Sequence, residues 1–273
     1  YSPLIWYWED FPRTDTSTLK ISQDDLSTLE LVLDGAVYTA PFDVIWVRRK
    51  GKPRPMEDSH PEDIQIIQRE SREYIENIVP FLGNDQTLWV NECDADRICA
   101  SKAHQLIVAA KLGFRIPDTL IGNNPKQLRS FFDKHNGKII FKAFYPGQWK
   151  NEDGSATVLR TSAIQKEHIA NNFAIHACPA IYQELVEKKY ELRVTVMGSS
   201  AIAAAIYSQE HDSTVDWRFE GGEGVSNLKS ISLESTILDK CLALCKYMGL
   251  AFGCIDLIVD KNDEVIFLEV NNT

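Results

Sequence analysis

The chain lacks most of the short motifs that would declare a chemistry. No stretch approaches the ~20 consecutive apolar residues of a membrane span. The opening YSPLIWYWEDFP shows none of the basic-then-apolar order of a secretory signal. Its six cysteines fall in no zinc-ligand spacing, and its six histidines form no HExxH pair. Cys241 and Cys245, one helical turn apart on an apolar stripe, read as reduced core residues. GxxxxGK[ST] and GxGxxG are both missing, which excludes a P-loop and a dinucleotide fingerprint. There is no Ser-His-Asp or Cys-His pattern, no internal repeat and no low-complexity tract. Basic charge is not in excess either: the formal net charge is −10, against the basic footprint of general nucleic-acid binders. The exclusions leave a cytoplasmic globular protein with no nucleic-acid and no membrane partner. At 273 residues, 44% hydrophobic and 25% charged, it is long enough for one to three domains.

What is present concentrates at the end, IDLIVDKNDEVIFLEVNNT. Asn262-Asp263 suits a two-residue hairpin loop, because both residues tolerate positive φ. That loop pairs Lys261 with Glu264, and so sets Ile258 opposite Phe267, Asp256 opposite Glu269 and Cys254 opposite Asn271. Opposite residues share a sheet face, so Asp256, Glu269 and Asn271 converge. Two carboxylates with Cβ atoms roughly 5 Å apart repel unless a positive charge lies between them. A hard divalent cation held by carboxylate and amide oxygens removes the conflict, and Mg²⁺ often shares such ligands with phosphates. The competing reading is a solvated sheet face, and a three-residue loop would separate the acids.

Along the chain, LIWYW, LELVL, FDVIWVRRK and LWVN read as short strands, with a helix over HPEDIQIIQRESREYIENIVPFLG between the last two. After the polar stretch NECDADR comes the helix SKAHQLIVAAKLG, capped by Ser101 and ended by Gly113. NNPKQLRSFFDKHNG is a further helix and KIIFKAF a strand, followed by the polar, Gly-bearing loop YPGQWKNEDGSATV. AIYQELV, YELRVTVMG and SAIAAAIYSQE read as strands, STVDWRFEGGEG as a loop, and STILDKCLALCKYMG as an amphipathic helix stopped by Gly249. Strands and helices alternate without a regular βαβ cadence, which points to an α+β or mixed class with more than one lobe.

Several side chains suit anion binding. Lys142 sits inside IIFKAF, costly unless it meets an anion or snorkels from an edge. The loop after it has the glycines of a flap that could close over phosphates. YQELVEKKYELRV carries Glu184, Glu187 and Glu191, and reads either as a solvated hairpin or as a segment presenting its backbone to a purine edge and a carboxylate to ribose. Arg193 lies two residues after Glu191, and Arg218 is in VDWRFE beside Asp216; arginines grip phosphate or carboxylate bidentately. RRKGKPRP gathers Arg48, Arg49, Lys50, Lys52 and Arg54 into a basic loop that is either solvated or a patch for an acidic partner.

In order and spacing, SKAHQLIVAAKLGFRIPDTL, IIFKAF, YQELVEKKYELRVTVMG, VDWR, MGLAFGCIDLIV and VIFLEVNN resemble the ATP-grasp ligases, specifically the peptide maturases of the microviridin or graspetide type. VIWVRR and QRESREYI resemble the N-terminal region of that subfamily, so the likeness spans nearly the whole chain. The resemblance implies an α+β ATP-grasp fold with an N-terminal α/β lobe over 1–92, a central lid lobe over 93–180 and a C-terminal lobe over 181–273.

It also implies roles. Lys102 and Lys142 would contact ATP phosphates. Glu184 with the backbone at Val186 and Glu187 would form the adenine hinge, and Glu191 would bind ribose. Asp256, Glu269 and Asn271 would hold Mg²⁺. Arg193 and Arg218 would lie near the γ-phosphate and the acidic acceptor, with Asp216 and Trp217 in a loop that helps hold the peptide. Arg48 and Arg49 are further candidates for peptide contact.

The implied activity is carboxylate activation. An Asp or Glu of a ribosomally made precursor, with a leader and an acidic, Thr-rich core, becomes an acyl phosphate, which a Thr or Ser hydroxyl or a Lys amine then attacks. The rival within the superfamily is an amino-acid ligase of the glutathione synthetase or glutamylating type; a nucleotide-binding module without catalysis is the rival outside it. A homodimer is what the resemblance suggests. Against that pattern, the text opens without a first strand and helix and stops before C-terminal helices, so segments at either end are expected to be missing; Asn272 stands where proline is common, which would alter that turn without removing the ligands.

Overall fold

A computed structural model describes residues 3–23, 28–144, 147–151, 153–207 and 228–272. They divide into two compact units, one running to Asp96 with Gly249–Ala251, the other Arg97–Met248 with Phe252–Asn272.

The first unit begins with an antiparallel meander, β1 (Thr16–Lys20), β2 (Thr28–Leu33) and β3 (Ala36–Thr39). Asp34-Gly35 joins β2 to β3 with positive φ at both residues, the signature of a two-residue hairpin turn. β4 (Val44–Trp46) and β5 (Leu88–Val90) pair in parallel, with α1 (Ile64–Ile78) between them in sequence. Leu29, Leu31 and Leu33 alternate inward from β2 and meet Ile75 and Ile78 of α1 with Val79 and Leu82 of the 3-10 turn that follows. LIWYW is not a strand: residues 3–7 have no regular structure and a 3-10 turn runs Trp8–Asp10, so Trp6 and Trp8 reach the core as bulky side chains from an irregular segment. NECDADR also differs, since Cys93–Cys99 form α2, a helix too short and polar to show a periodicity.

The second unit holds α3 (Lys102–Lys111), β6 (Thr119–Gly122), α4 (Pro125–Lys134), β7 (Ile139–Lys142), β8 (Gln148–Lys150), β9 (Ala156–Val158), β10 (Ser162–Ala163), α5 (Asn172–Ala177), β11 (Ala180–Glu184), β12 (Lys188–Met197), β13 (Ser200–Ile206), β14 (Leu228–Ile231), α6 (Ser235–Tyr247), β15 (Phe252–Asp260) and β16 (Val265–Asn271). Ser101 caps α3 by accepting the His104 amide at 3.3 Å, and Gly113 ends it at φ +80°. The polar loop expected after β7 is partly regular: β8 and β9 form an antiparallel hairpin.

Two antiparallel sheets organise this unit. One runs β10-β7-β11-β6 and buries Ile139, Ala180 and Tyr182 against Leu128 of α4 and Ile175 of α5. The other runs β14-β13-β12-β15-β16. Leu192, Val194 and Val196 of β12 and Ile255, Leu257 and Val259 of β15 alternate onto a buried face. α6 packs on β12, β13 and β15, and α3 packs on β16. The alternating residues, Arg193, Asp256 and Glu269 among them, are left for the opposite face.

Candidate functional site

Register decides which acids meet, and it differs from the simple hairpin. The loop has three residues, 261–263, since the Asp260 amide donates to the Glu264 carbonyl at 3.0 Å. Only Asp263, not Asn262, takes positive φ. Val259↔Val265, Ile258↔Ile266 and Leu257↔Phe267 follow that loop, so Ile258 opposes Ile266 rather than Phe267. Phe267 instead joins the core, fully buried against Phe114 with ring centroids 5.8 Å apart. A bulge then absorbs one residue, and Asp256↔Glu269, Ile255↔Val270 and Cys254↔Asn271 resume the register expected from sequence. The odd loop and the bulge cancel, and the two carboxylates stand opposite each other.

On that face the side chains are part-buried and mutually paired. Lys102, first residue of α3, donates to Glu269 Oε2 at 2.6 Å. Arg193 donates to Asp256 Oδ1 at 3.1 Å from the neighbouring strand, where it is the register partner of Asp256. Asn271 Nδ2 donates to Asp256 Oδ2 at 2.9 Å. Two carboxylates, an amide, an ammonium and a guanidinium therefore share one patch. The acids bring hard oxygen donors, and the cations offset their repulsion. The donor set suits Mg²⁺ and a polyphosphate, with the amide oxygen of Asn271 as a third oxygen ligand.

Gln105 braces the patch from behind. β16 is an edge strand, so Val270, between Glu269 and Asn271, has an outward backbone pair. The buried Gln105 amide satisfies both halves: Oε1 accepts from Val270 N at 2.9 Å, and Nε2 donates to Val270 O at 2.9 Å. Nε2 also donates to the Cys99 carbonyl at 2.6 Å. The sequence held a signal for it, because Gln105 occupies the stripe of Val108 and Ala109 at i, i+3, i+4, where an amide needs partners.

Lys142 ends β7, on the sheet face it shares with Ile140 and, across the ladder, with Ile181 and Gln183 of β11. Glu184 ends β11; its Oε2 accepts from Asp118 N at 3.3 Å and its Oε1 lies 3.9 Å from Arg115. Val186 and Glu187 form the link to β12. Glu187 is exposed, and Lys138 with Lys261 hold its carboxyl down at about 2.

Glu191 is buried, and its partner is Lys188, also buried. Residues three apart on a strand ordinarily face opposite ways. Here β12 slips register between Lys188 and Tyr190, so a bulge turns Lys188 toward Glu191. Sequence reasoning missed Lys188, since EKK reads as solvated. It also missed Arg115, which bridges Asp260 at 3.0 Å and Glu264 at 2.6 Å and so ties the β15–β16 turn to the segment before β6.

The basic loop is built into the first unit. Arg48 lies over the Trp46 ring at 5.3 Å, Lys50 bonds Asp96 at 2.8 Å, and Arg54 is 3.5 Å from Glu9. Arg49 takes positive φ. Asp216, Trp217 and Arg218 lie outside the described residues.

No helix among the described residues is long and apolar enough to cross a membrane. No protein-family model matches the chain, and no curated protein does. Solved structures do, and the fold they share with it is the ATP-grasp fold. The likeness is to the ligases of ribosomal-peptide maturation. A RiPP-associated ATP-grasp ligase of Chryseobacterium gregarium, in complex with ADP and a leader and core peptide, superposes with a TM-score of 0.88 at 25% identity, over 98% of this chain and 80% of that one. Macrocyclase MdnC of Microcystis aeruginosa MRC, bound with precursor peptide MdnA, gives 0.84 at 25% identity, over 97% and 80%. The ATP-grasp ligase PsnB, complexed with a precursor variant, Mg and ADP, gives 0.76 at 19% identity, over 100% and 82%.

Proposed function

We propose that this chain is an ATP-dependent ligase that activates Asp or Glu side chains of a ribosomally made precursor peptide and closes macrocyclic esters with Thr or Ser, or amides with Lys. The observation that carries the reading is the patch of Asp256, Glu269 and Asn271 with Lys102 and Arg193, on a fold shared with ligases bound to precursor peptides. The division into lobes at 1–92, 93–180 and 181–273 belongs to the same proposal, although the two sheets of the second unit part between β11 and β12, after Glu184, and not at 180.

ATP is the phosphoryl donor. Asp256, Glu269 and Asn271 would hold Mg²⁺, which would supply positive charge to offset that of the phosphates. Lys102 and Lys142 bind phosphate oxygens, and Glu191, held by Lys188, accepts from ribose hydroxyls. Glu184 and the backbone at Val186 and Glu187 receive the adenine. Arg193 orients the γ-phosphoryl group and offsets its charge as it moves. A peptide carboxylate oxygen bonds the γ-phosphorus as the bond to ADP breaks. The hydroxyl or amine then attacks the acyl carbon, loses its proton, and phosphate leaves. Each ring therefore costs one ATP and removes one water from the peptide. Arg218, Asp216 and Trp217 are proposed to serve the acidic acceptor and the core peptide. Arg48 and Arg49 are proposed to attract the acidic precursor. A cytoplasmic homodimer completes the proposal, and light scattering checks the dimer.

The test is incubation with Mg²⁺, ATP and a short Thr- and Glu/Asp-rich peptide, to be sought among the small open reading frames that neighbour the gene. Loss of one water per ring in the peptide mass is expected; gain of an amino-acid mass would establish the amino-acid ligase reading instead. Glu269→Gln should lower peptide-dependent ADP release about a thousandfold or more, through the charge stabilisation lost at the phosphates. Its melting temperature should hardly move, because a part-exposed ion pair contributes about 1 kcal/mol at most. Turnover that persists in this variant would refute the assignment.

A further inference from the structure

The proposed site draws on both sheets of the second unit: Glu184, at the end of β11, belongs to one, and Asp256, Glu269 and Asn271 to the other. A ligand that reaches from the first sheet to the second binds well only where the two keep a fixed spacing. The segment between α3 and β6 touches both. The Asp118 carbonyl accepts from the Glu184 amide at 2.9 Å, and the Asp118 amide donates to Glu184 Oε2 at 3.3 Å. Three residues earlier, the Arg115 carbonyl accepts from the Phe267 amide of β16 at 2.9 Å, two residues before Glu269.

The Arg115 guanidinium completes the connection. Its Nη1 donates to Asp260 Oδ2 at 3.0 Å and to Glu264 Oε2 at 2.6 Å across the β15–β16 turn, and its Nη2 lies 3.9 Å from Glu184 Oε1. One planar fork thus meets carboxylates of both sheets, a geometry that a lysine ammonium does not reproduce. The turn itself does not depend on the arginine, because Asp260 Oδ1 accepts from the Asn262 and Glu264 amides at 2.8 and 2.9 Å. What the side chain adds is the link to Glu184. The turn governs the metal ligands in its turn: Asp256 stands four residues before Asp260 on β15, about 13 Å at the rise of a strand. Glu187 reaches the same turn through Lys261 at 2.8 Å, but both of those side chains are exposed, whereas Arg115 holds the buried Asp260.

We infer that Arg115 is a positioning residue, which holds the base-receiving segment and the metal-bearing hairpin at one spacing so that both ends of a single nucleotide engage together. The inference rests on the reading that the Glu184–Glu187 segment receives the base and that Asp256, Glu269 and Asn271 hold the metal at the phosphates. Arg115 touches neither end of the ligand. Its effect is that of a linker between two weak sites: with the spacing fixed, binding at one end presents the other at high effective concentration, and with the spacing loose that gain is lost while each end keeps its own affinity.

The experiment is calorimetric titration of the whole chain, at one Mg²⁺ concentration, with ATP and with inorganic tripolyphosphate, which carries the phosphates and no base. Arg115→Met keeps the stem and the backbone bond to Phe267 and removes the fork. It should weaken Mg-ATP by about tenfold or more and Mg-tripolyphosphate by no more than about twofold. Arg115→Lys, which keeps the charge and reaches fewer partners, should fall between Arg115→Met and the intact protein, and it carries the test by itself if Arg115→Met does not fold. A side chain that merely stabilised the fold would move both ligands alike. Equal weakening of the two, or no weakening of either, therefore overturns the inference. So does an intact protein that binds no tripolyphosphate, because the phosphate end must then stand on more than its own contacts. If the protein binds Mg-ATP and Glu269→Gln abolishes that binding while the ratio stays fixed in the Arg115 variants, the positioning inference alone has failed. If the intact protein does not bind Mg-ATP, the functional reading has failed and this inference with it.

Discussion

Replacing Gln105 by leucine keeps the bulk of the side chain and removes one amide. Three backbone groups lose their partner: the Val270 N–H and C=O and the Cys99 C=O, bonded at 2.9, 2.9 and 2.6 Å. Val270 is 2% exposed, so water does not replace the amide without an opening. Each buried group left unpaired costs about 1–3 kcal/mol. The Cys99 thiol, 3.8 Å from the Val270 carbonyl, takes over part of one contact. A cost of about 2–4 kcal/mol to local stability follows, allowing for relaxation of the edge strand. Hydrogen exchange followed by mass spectrometry reads this directly, and protection across 265–271 should fall roughly 30- to 1000-fold. The strands of the first unit should be unaffected, and Mg²⁺-dependent nucleotide binding should weaken by about tenfold or more, as when a group supporting metal ligands is lost. Gln105→Glu should do no better, since it retains an acceptor for Val270 N but sets a charge against two carbonyls. Unchanged protection at β16, or an equal loss throughout the chain, would refute the reasoning.

The β15–β16 turn should loosen in acid. The Asp260 carboxyl lies below its ordinary value because the Glu264 and Asn262 amides and Arg115 bond its ionised form. Its contribution is therefore complete above about pH 4, the ordinary carboxylate value, and is lost as pH falls through the lower folded-state value. Glu187 adds the same sign between its ordinary value and about 2. Exchange protection of 260–264 measured from pH 5 downward should decline, and Asp260→Asn should remove most of that decline; a flat profile in the unsubstituted protein would contradict it. Charge reversal of Arg48 and Arg49 should weaken precursor binding severalfold and flatten its salt dependence, since exposed charges steer acidic partners. Unchanged affinity at low salt would remove that patch from the binding surface.

Much of this was readable in the linear text, and the failures are instructive. Helices with a clear period, such as α1 and α6, and those with polar caps, such as α3, follow from sequence because both signals are local. α2 and α5 are not readable, because six or seven residues hold no period. The aromatic run near the start was misleading, since β-propensity describes a side chain that packs well and does not require a strand. Lys188 and Arg115 look like surface charges in the text, and only the bulge in β12 and the turn of the last hairpin give them their buried or multiple partners.

The sequence by itself pointed to a final hairpin whose acids share a face, because side chains alternate along a strand, but it drew that pairing from a two-residue loop that the chain does not form. It also determined that the protein has no dinucleotide fingerprint or P-loop to rely on. Only the tertiary structure decided how Asp256 comes to face Glu269, through a three-residue loop and a compensating bulge whose errors of one residue cancel. It alone placed Lys102, Arg193 and Gln105 around them, from two other elements, α3 and β12. The reason is physical: periodicity along a strand is local and short-ranged, whereas the register of a ladder and the partner of a charge are fixed by the packing of residues far apart in the chain.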